Sequence, residues 1–342
     1  MHGFPENSFH AVVPDRPTPA TFSRRRFLVS LGVLAGAGLM APLFQRIRLG
    51  GGPAQVERSR AGLGTWIRIV ARHEHEAVAE RAIARAYAAI DRVDAQMSVH
   101  RPDSELARVN AAAGERPVKV SLALLDVVTR ACRDAAETHG VHDPTILPLM
   151  RLYGFYGSGR SHLPGDREIA ATLAVTGAHL VQVDRAASTI GLTRRGAGLD
   201  LGSIGKGWAV DRAVEALRAE GVTSGLVDVG RNVYGIGTPG DGADGWRVGV
   251  LHPRTGAVDR VFTLRDAAVA TSGNAEQSHE LDGVRVGHLL DAARGVPANP
   301  HLSATVYART GLESDENASR AFLLGPEGVR GAHGVLGTHF IG

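Results

Sequence analysis

The segment Asp200-Leu-Gly-Ser-Ile-Gly-Lys-Gly-Trp-Ala-Val-Asp-Arg-Ala213 constrains this chain more than any other stretch. It gathers one acid, one lysine and three glycines into a single turn, then runs straight into a helical pattern with Val210, Val214 and Leu217 on one side. Glycine lets a backbone come close to a ligand because no Cβ intervenes. A helix N-terminus points free N–H groups at anions. The segment therefore reads as a cradle for a phosphate-bearing molecule. Lys206 sharpens that reading: Lys119 and Lys206 are the only lysines in a chain that otherwise uses arginine. A lysine at a helix start works against the helix dipole, so the position asks for an anion beside it.

With 342 residues the chain can bury a full core, and 44% hydrophobic with 21% charged residues is an ordinary globular balance. The charge is unevenly spread. Six arginines against Glu6 and Asp15 give residues 1–50 a charge of +4, whereas the whole chain carries +3, which leaves −1 for residues 51–342. A near-neutral body excludes nucleic acid as a partner, since phosphate-backbone binding needs clustered cations. The basic segment reads as an address. Ser23-Arg-Arg-Arg-Phe-Leu28 precedes a Gly/Ala-rich apolar run, Val29 to Phe44, and paired arginines before such a run resemble a twin-arginine export signal. The other reading is a single membrane anchor, although the run is shorter than the ~20 apolar residues of a spanning helix. Residues 1–50 are thus an export signal and linker, residues 51–342 the functional domain, and the expected location is the periplasm, free or membrane-anchored. Cys132 is the only cysteine, so no intramolecular disulfide forms; it lies on a helical apolar stripe and reads as core.

Along the body, residues 45–60 read as a Gly/Pro/Arg linker and Gly62–Val70 as the first strand. Ile83, Tyr87, Ile90, Val93 and Met97 mark a helix, and Ser98–Asn110 a turn-rich loop. Ser121 caps a second helix with Leu125, Val128, Cys132 and Ala135 inward and Gly140 as its stop. A third helix runs from about Gly207 to Gly221. Strands follow at Gly225–Val229, Trp246–Leu251, Arg260–Leu264, Ala267–Thr271 and Arg285–Leu290, then a strand at Ser303–Ala308 and a helix from Ser314 to Leu324. Strands and helices come in blocks, which favours an α+β fold in one domain.

Six separated motifs, in order, resemble the ApbE family of FAD:protein FMN transferases. They are Met97-Ser98 with Pro102–Asn110; Thr138–Phe155; Asp200–Ala213; Leu226-Val-Asp-Val-Gly230; Thr271-Ser-Gly273 with His288-Leu-Leu-Asp291; and Ser314-Asp-Glu-Asn-Ala-Ser319. The resemblance covers roughly residues 61–325. It implies a T-fold-like architecture, mainly antiparallel sheet with packed helices. It also implies an enzyme that holds FAD and Mg²⁺, cleaves the pyrophosphate and attaches FMN to a threonine or serine of an acceptor flavoprotein. The metal ligands it implies are the Ser203 carbonyl, Asp315 and Ser319. Mg²⁺ takes hard oxygen ligands, and Asp315 and Ser319, four apart, share one face of a helix. The flavin-nucleotide contacts it implies are Leu63, His100, Val141, His142, Asp143, Asp200, Lys206, Asp228, Thr271, Ser272, Gly273 and Leu289. Lys206 and His288 are the implied catalytic pair, the lysine as a point charge beside the phosphates and the histidine as base toward the acceptor hydroxyl. Asp143, before Pro144, has an alternative reading as a turn-forming acid.

The chain departs from the family pattern at several places. Leu63 and His100 stand where methionine and tyrosine are usual, Arg231 replaces the second glycine of a pair, and Asn274 replaces an aspartate. Ala292 and Arg294 replace proline and threonine, and Ser319 replaces threonine. Several of these cluster toward the acceptor end of the site. Two further readings follow: a flavin-carrying accessory protein of a respiratory reductase, without transfer, and an FAD pyrophosphatase in which water replaces the acceptor.

Overall fold

The computed structural model describes residues 53–342, apart from residues 158, 241, 276 and 299. The expected export signal, residues 1–50, lies outside them. In chain order the elements are β1 (Ala54–Gly62), β2 (Thr65–His73), α1 (Glu76–Met97), α2 (Glu105–Ala111), β3 (Val118–Lys119), α3 (Leu122–Glu137), α4 (Leu147–Leu152) and α5 (Asp166–Leu173). Then come β4 (Val181–Asp184), β5 (Thr189–Leu192), α6 (Gly205–Ala219), β6 (Ser224–Val229), β7 (Asn232–Ile236), β8 (Trp246–Leu251), β9 (Val258–Leu264) and β10 (Ala267–Ser272). The last are β11 (Ser278–Leu281), β12 (Val284–Gly287), β13 (Leu290–Asp291), β14 (Val296–Pro297), β15 (Ser303–Ala308), α7 (Gly311–Leu324) and β16 (Val335–Ile341).

A seven-stranded sheet in the order β1-β2-β6-β7-β10-β15-β16 forms the frame, with every neighbouring pair antiparallel. Side chains alternate between its faces. Ile67, Ile69, Ala71, Val227 and Val229 enter the main core with α1 and α6, whereas Val70, Leu226, Val233 and Val269 turn to the opposite face, which the β8–β9 hairpin covers with Trp246, Val248 and Leu264. Helices α1, α6 and α7 line the first face. Alanines at 79, 82, 86 and 209 keep these contacts thin, so the helices sit close to the strands and to one another. The result is the expected single-domain α+β architecture. No helix among the described residues is long and apolar enough to cross a membrane.

Four local expectations change. The linker reading of residues 45–60 fails from residue 54 onward, where β1 forms the sheet edge. Only Val56 of this strand is buried; its outward Arg58, Arg60 and Glu57 pair with Glu80, Asp91 and Arg68, so the strand is held by backbone pairing and ion pairs and shows no apolar alternation. The single strand Gly62–Val70 is a hairpin corner instead: Leu63 and Gly64 have φ 51° and 70°, the paired left-handed conformation of a tight hairpin turn. The loop Ser98–Asn110 contains α2, whose N-cap Ser104 accepts from the Ala107 N–H at 2.9 Å. The strand expected at Arg285–Leu290 is broken at His288 and Leu289, between β12 and β13.

Candidate active site

The site forms where α6 and α7 begin. Gly207 and Gly311 face each other: a Cβ on Gly207 would lie 2.2 Å from the Gly311 carbonyl oxygen, and one on Gly311 2.7 Å from that of Gly207. The two helix starts can touch only because both residues lack side chains. Asp211 ties them further, accepting from the Gly311 and Leu312 N–H groups at 2.7 and 2.9 Å. That cap burdens Asp211 in turn; burial pushes its carboxyl up to about 6 despite those two bonds.

This contact delivers Asp315, 3% exposed, to the glycine turn. Its Oδ2 accepts from the Gly207 N–H at 2.8 Å, and its Oδ1 lies 3.4 Å from Lys206 Nζ. Lys206 also donates to the Gly202 carbonyl at 2.8 Å. In a regular helix the Gly207 N–H would go to the Ser203 carbonyl, four residues back. Here Asp315 takes it, and no hydrogen bond to the Ser203 carbonyl is found among the described residues. The carboxylate thus takes the place of the helix's own carbonyl acceptor at Gly207, with Ser319 one turn along α7. Ser319 Oγ lies 3.1 Å from Ser272 Oγ at the end of β10. One carboxylate, one carbonyl and one hydroxyl are hard oxygen donors, a set that fits Mg²⁺ with waters retained. No group of three or more His, Cys, Asp or Glu residues that could hold a metal ion occurs among the described residues.

Asp200 caps the other side of the turn. It accepts from the Gly202 N–H at 2.8 Å and from the Tyr156 hydroxyl at 2.7 Å, and its own N–H donates to the Pro144 carbonyl at 2.7 Å. Tyr156 in turn meets His100 edge to face, ring centroids 5.0 Å apart. Burial and the Asp200 charge raise the Tyr156 phenol, so it remains a donor. His288 lies in the break between β12 and β13, its Nδ1 3.2 Å from the Gln277 carbonyl and its ring 6.4 Å from Phe155. Burial, assisted by the Lys206 charge, lowers its imidazole to about 4, so the ring is neutral at neutral pH and a weaker base than an ordinary imidazole.

The other sequence-predicted residues fall into two groups. Leu63, at the β1–β2 turn, packs against the main core, and Asp228 in β6 accepts from the Arg231 N–H at 3.2 Å. Burial raises the Asp228 carboxyl to about 6. Thr271 pairs with Thr305 at 2.9 Å, Ser272 with Ser319, and Gly273 packs so tightly that a Cβ would sit 2.7 Å from the Leu302 carbonyl. Leu289 donates to Asn274 at 3.1 Å, while the Asn274 amide donates to Ala298 at 2.7 Å. Asn274 thereby brackets the His288 segment with both a donor and an acceptor. The second group lies behind the turn. The Val141 carbonyl accepts from Ala292 at 3.1 Å. Asp143 spends its carboxylate on its own loop, accepting from the Thr145 N–H and hydroxyl at 2.8 and 2.6 Å and from the Ala178 N–H at 2.8 Å. His142 faces inward: Nδ1–H donates to Asp134 at 2.5 Å and Nε2 lies 2.8 Å from Ser203 Oγ. Burial works against its charge, but the Asp134 bond prevails and raises the imidazole.

Tyr156, Asp134 and Asp211 contribute to the site without having been singled out from sequence. Asp211 stood inside the third motif; Tyr156 adjoins the second; Asp134 carries no local signal.

The ApbE family pattern matches residues 63–333. This chain belongs to the ApbE family. It is 36% identical over 272 residues to the FAD:protein FMN transferase of Klebsiella pneumoniae, covering 78% of this chain and 77% of that protein. Its fold is similar to the ApbE protein of Thermotoga maritima, with a TM-score of 0.76 at 29% identity, covering 84% of this chain and 94% of that one. The flavin transferase ApbE of Vibrio cholerae superposes with a TM-score of 0.73 at 27% identity, covering 84% and 97%.

Proposed function

We propose that this ApbE protein is a Mg²⁺-dependent FAD:protein FMN transferase acting on an exported or membrane-bound flavoprotein. The observation that carries the reading is the meeting of Lys206 and Asp315 with the Gly207 N–H at the α6 start, with neutral His288 in the field of Lys206 and Asp200. Ser203, Asp315 and Ser319 would hold Mg²⁺, which when bound supplies charge neutralisation to the pyrophosphate. The turn N–H groups and Lys206 bind and orient the FAD phosphates. His288 takes the proton of the acceptor threonine or serine hydroxyl as its oxygen bonds to the FMN phosphorus. The pyrophosphate P–O bond breaks, and AMP leaves with that electron pair. The arginine pair and the apolar run ahead of residue 51 support export by the twin-arginine route.

The test is mass spectrometry of candidate acceptor flavoproteins incubated with the full-length protein, FAD and Mg²⁺. A gain of one FMN on a threonine or serine, lost with EDTA and lost in Asp315→Ala, is the expected result. Release of free FMN and AMP without any acceptor would replace the reading with a pyrophosphatase. Tight FAD binding with no transfer to any reductase subunit of the same cell would replace it with a flavin-carrying accessory protein, which the substitutions at Asn274, Arg231 and Ala292–Arg294 would then explain.

A further inference from the structure

The metal reading places three donors on two separate elements. The Ser203 carbonyl belongs to the turn before α6, whereas Asp315 and Ser319 belong to α7. The α6 start and α7 meet directly at the Gly207–Gly311 contact, the Asp211 cap, the Lys206–Asp315 pair and the Gly207–Asp315 hydrogen bond. A second connection runs from the turn to α7 through a chain of side chains. Ser203 Oγ meets His142 Nε2 at 2.8 Å; His142 Nδ1–H meets Asp134 Oδ2 at 2.5 Å; Asp134 Oδ1 accepts from Arg320 Nη1 at 2.9 Å. Arg320 is the residue after Ser319. Beside it, Glu316 follows Asp315 and accepts from Arg130 Nε and Nη2 at 2.8 and 2.6 Å. Both anchors therefore run from α7 to α3, and His142 carries the connection onward to the turn.

The contacts close into a ring: Ser203, His142, Asp134, Arg320, the first turns of α7, Asp315, Gly207 and back through the turn to Ser203. The ring is buried. Asp134 is 6% and Glu316 6% exposed, and a small cavity lined by Asp134, His142, Asp200, Ser203 and Glu316 has room for about one water molecule. Without His142, Ser203 would lose its side-chain tether, and the peptide that presents its carbonyl would be held by the 3.1 Å bond from the Ile204 N–H to the Leu201 carbonyl, in a turn flanked by Gly202 and Gly205. We infer that His142, oriented by Asp134, is a positioning residue that sets divalent-cation affinity by fixing the Ser203 peptide against α7. This inference rests on the metal assignment proposed above and adds to it a residue that bonds no ligand itself. The role resembles that of hydrogen-bond partners that orient metal ligands, whose loss weakens metal binding by about 10–100-fold.

The test measures Mn²⁺ binding to the full-length protein without FAD, by the electron paramagnetic resonance signal of free Mn²⁺ at fixed pH. Ser203→Ala removes only the tether, and His142→Phe removes the connector; melting temperatures run in parallel. Each variant is expected to weaken Mn²⁺ binding about 10-fold or more. The double variant His142→Phe/Ser203→Ala is expected to match the weaker single variant within about 2-fold, because both changes cut the same connection. A general loss of packing would not produce that non-additivity. Wild-type affinity in Ser203→Ala, or losses that add in the double variant, would overturn the role of His142. Asp315→Ala separates the two levels of the argument. If wild type binds no Mn²⁺, or Asp315→Ala binds as tightly as wild type, the metal assignment itself fails.

Discussion

Replacing Gly207 by alanine sets two opposing effects against each other. Alanine in a helix interior is favoured over glycine by about 1 kcal/mol. Against this stands the new Cβ, 2.2 Å from the Gly311 carbonyl oxygen and 2.7 Å from Asp315 Cβ. To reach ordinary contact, α7 must retreat by about 1 Å. Overpacking of this kind costs about 1–3 kcal/mol. The same retreat stretches the 2.8 Å bond from Gly207 N–H to Asp315 well past hydrogen-bonding range, and a bond to a charged group is worth about 1.5–3 kcal/mol. The net loss is therefore about 2–5 kcal/mol, a fall in melting temperature of roughly 5–15 °C. Gly205→Ala is the internal control: it lies two residues earlier on the same helix, and nothing sits within 4 Å of its added Cβ. It should be neutral or stabilising by up to about 1 kcal/mol. Thermal denaturation of the three proteins decides the matter. If Gly207→Ala melts with or above Gly205→Ala, the close approach of α6 and α7 does not hold the site together.

Asp211→Ala removes the acceptor of two N–H groups at the start of α7 and should cost about 2 kcal/mol, read as a lower melting temperature; an unchanged melt would refute the capping role. Asn274→Asp, which restores the family's usual residue, places a carboxylate against the Ala298 carbonyl where the amide donates now. It should lower stability by about 1–2 kcal/mol, and a stabilised variant would show that the bracket around His288 is not used as drawn. His288 titrates near 4 in the folded protein, below its ordinary value near 6.5. The unfolded chain therefore binds the proton first, so folding stability falls as pH drops from about 6.5 toward 4 and is fully restored above that window. His288→Gln should remove this share of the acid sensitivity; chemical denaturation at several pH values that shows the same slope in both proteins would refute it.

What the sequence revealed depended on the range of the interaction. Helices with a periodic stripe, such as Ile83 to Met97, or with a cap such as Ser121, are written locally and are found close to where the pattern places them. Strand β1 is written elsewhere: its outward charges are satisfied by Glu80, Asp91 and Arg68, so its own seven or so residues look like a linker. The site divides in the same way. Asp200, Lys206 and Asp315 stand in glycine- or acid-marked motifs, and the structure brings them to one point. The orientation of His142 has no local signal, because it depends on Asp134 from α3 and Ser203 from the turn 61 residues later. Asp143 shows the converse. Its turn-forming place before Pro144 is written locally, and its carboxylate accepts from the Thr145 and Ala178 groups of its own loop.

The order of strands in the sheet also fixes when this protein can become competent during its synthesis. Strand β2 pairs with β6, joining Ile67 to Val229, and the far edge closes only when β16 pairs with β15, joining Ile341 to Ser303. The carboxylate that meets the glycine turn arrives at residue 315. A nascent chain that has emitted the whole glycine turn therefore still lacks α7 and the last strands, and must leave its central strands unpaired at one edge until translation is nearly finished. Such non-local pairing slows folding. It also means that a chain terminated before residue 303 carries the glycine turn without α7 and without the strands that close its sheet.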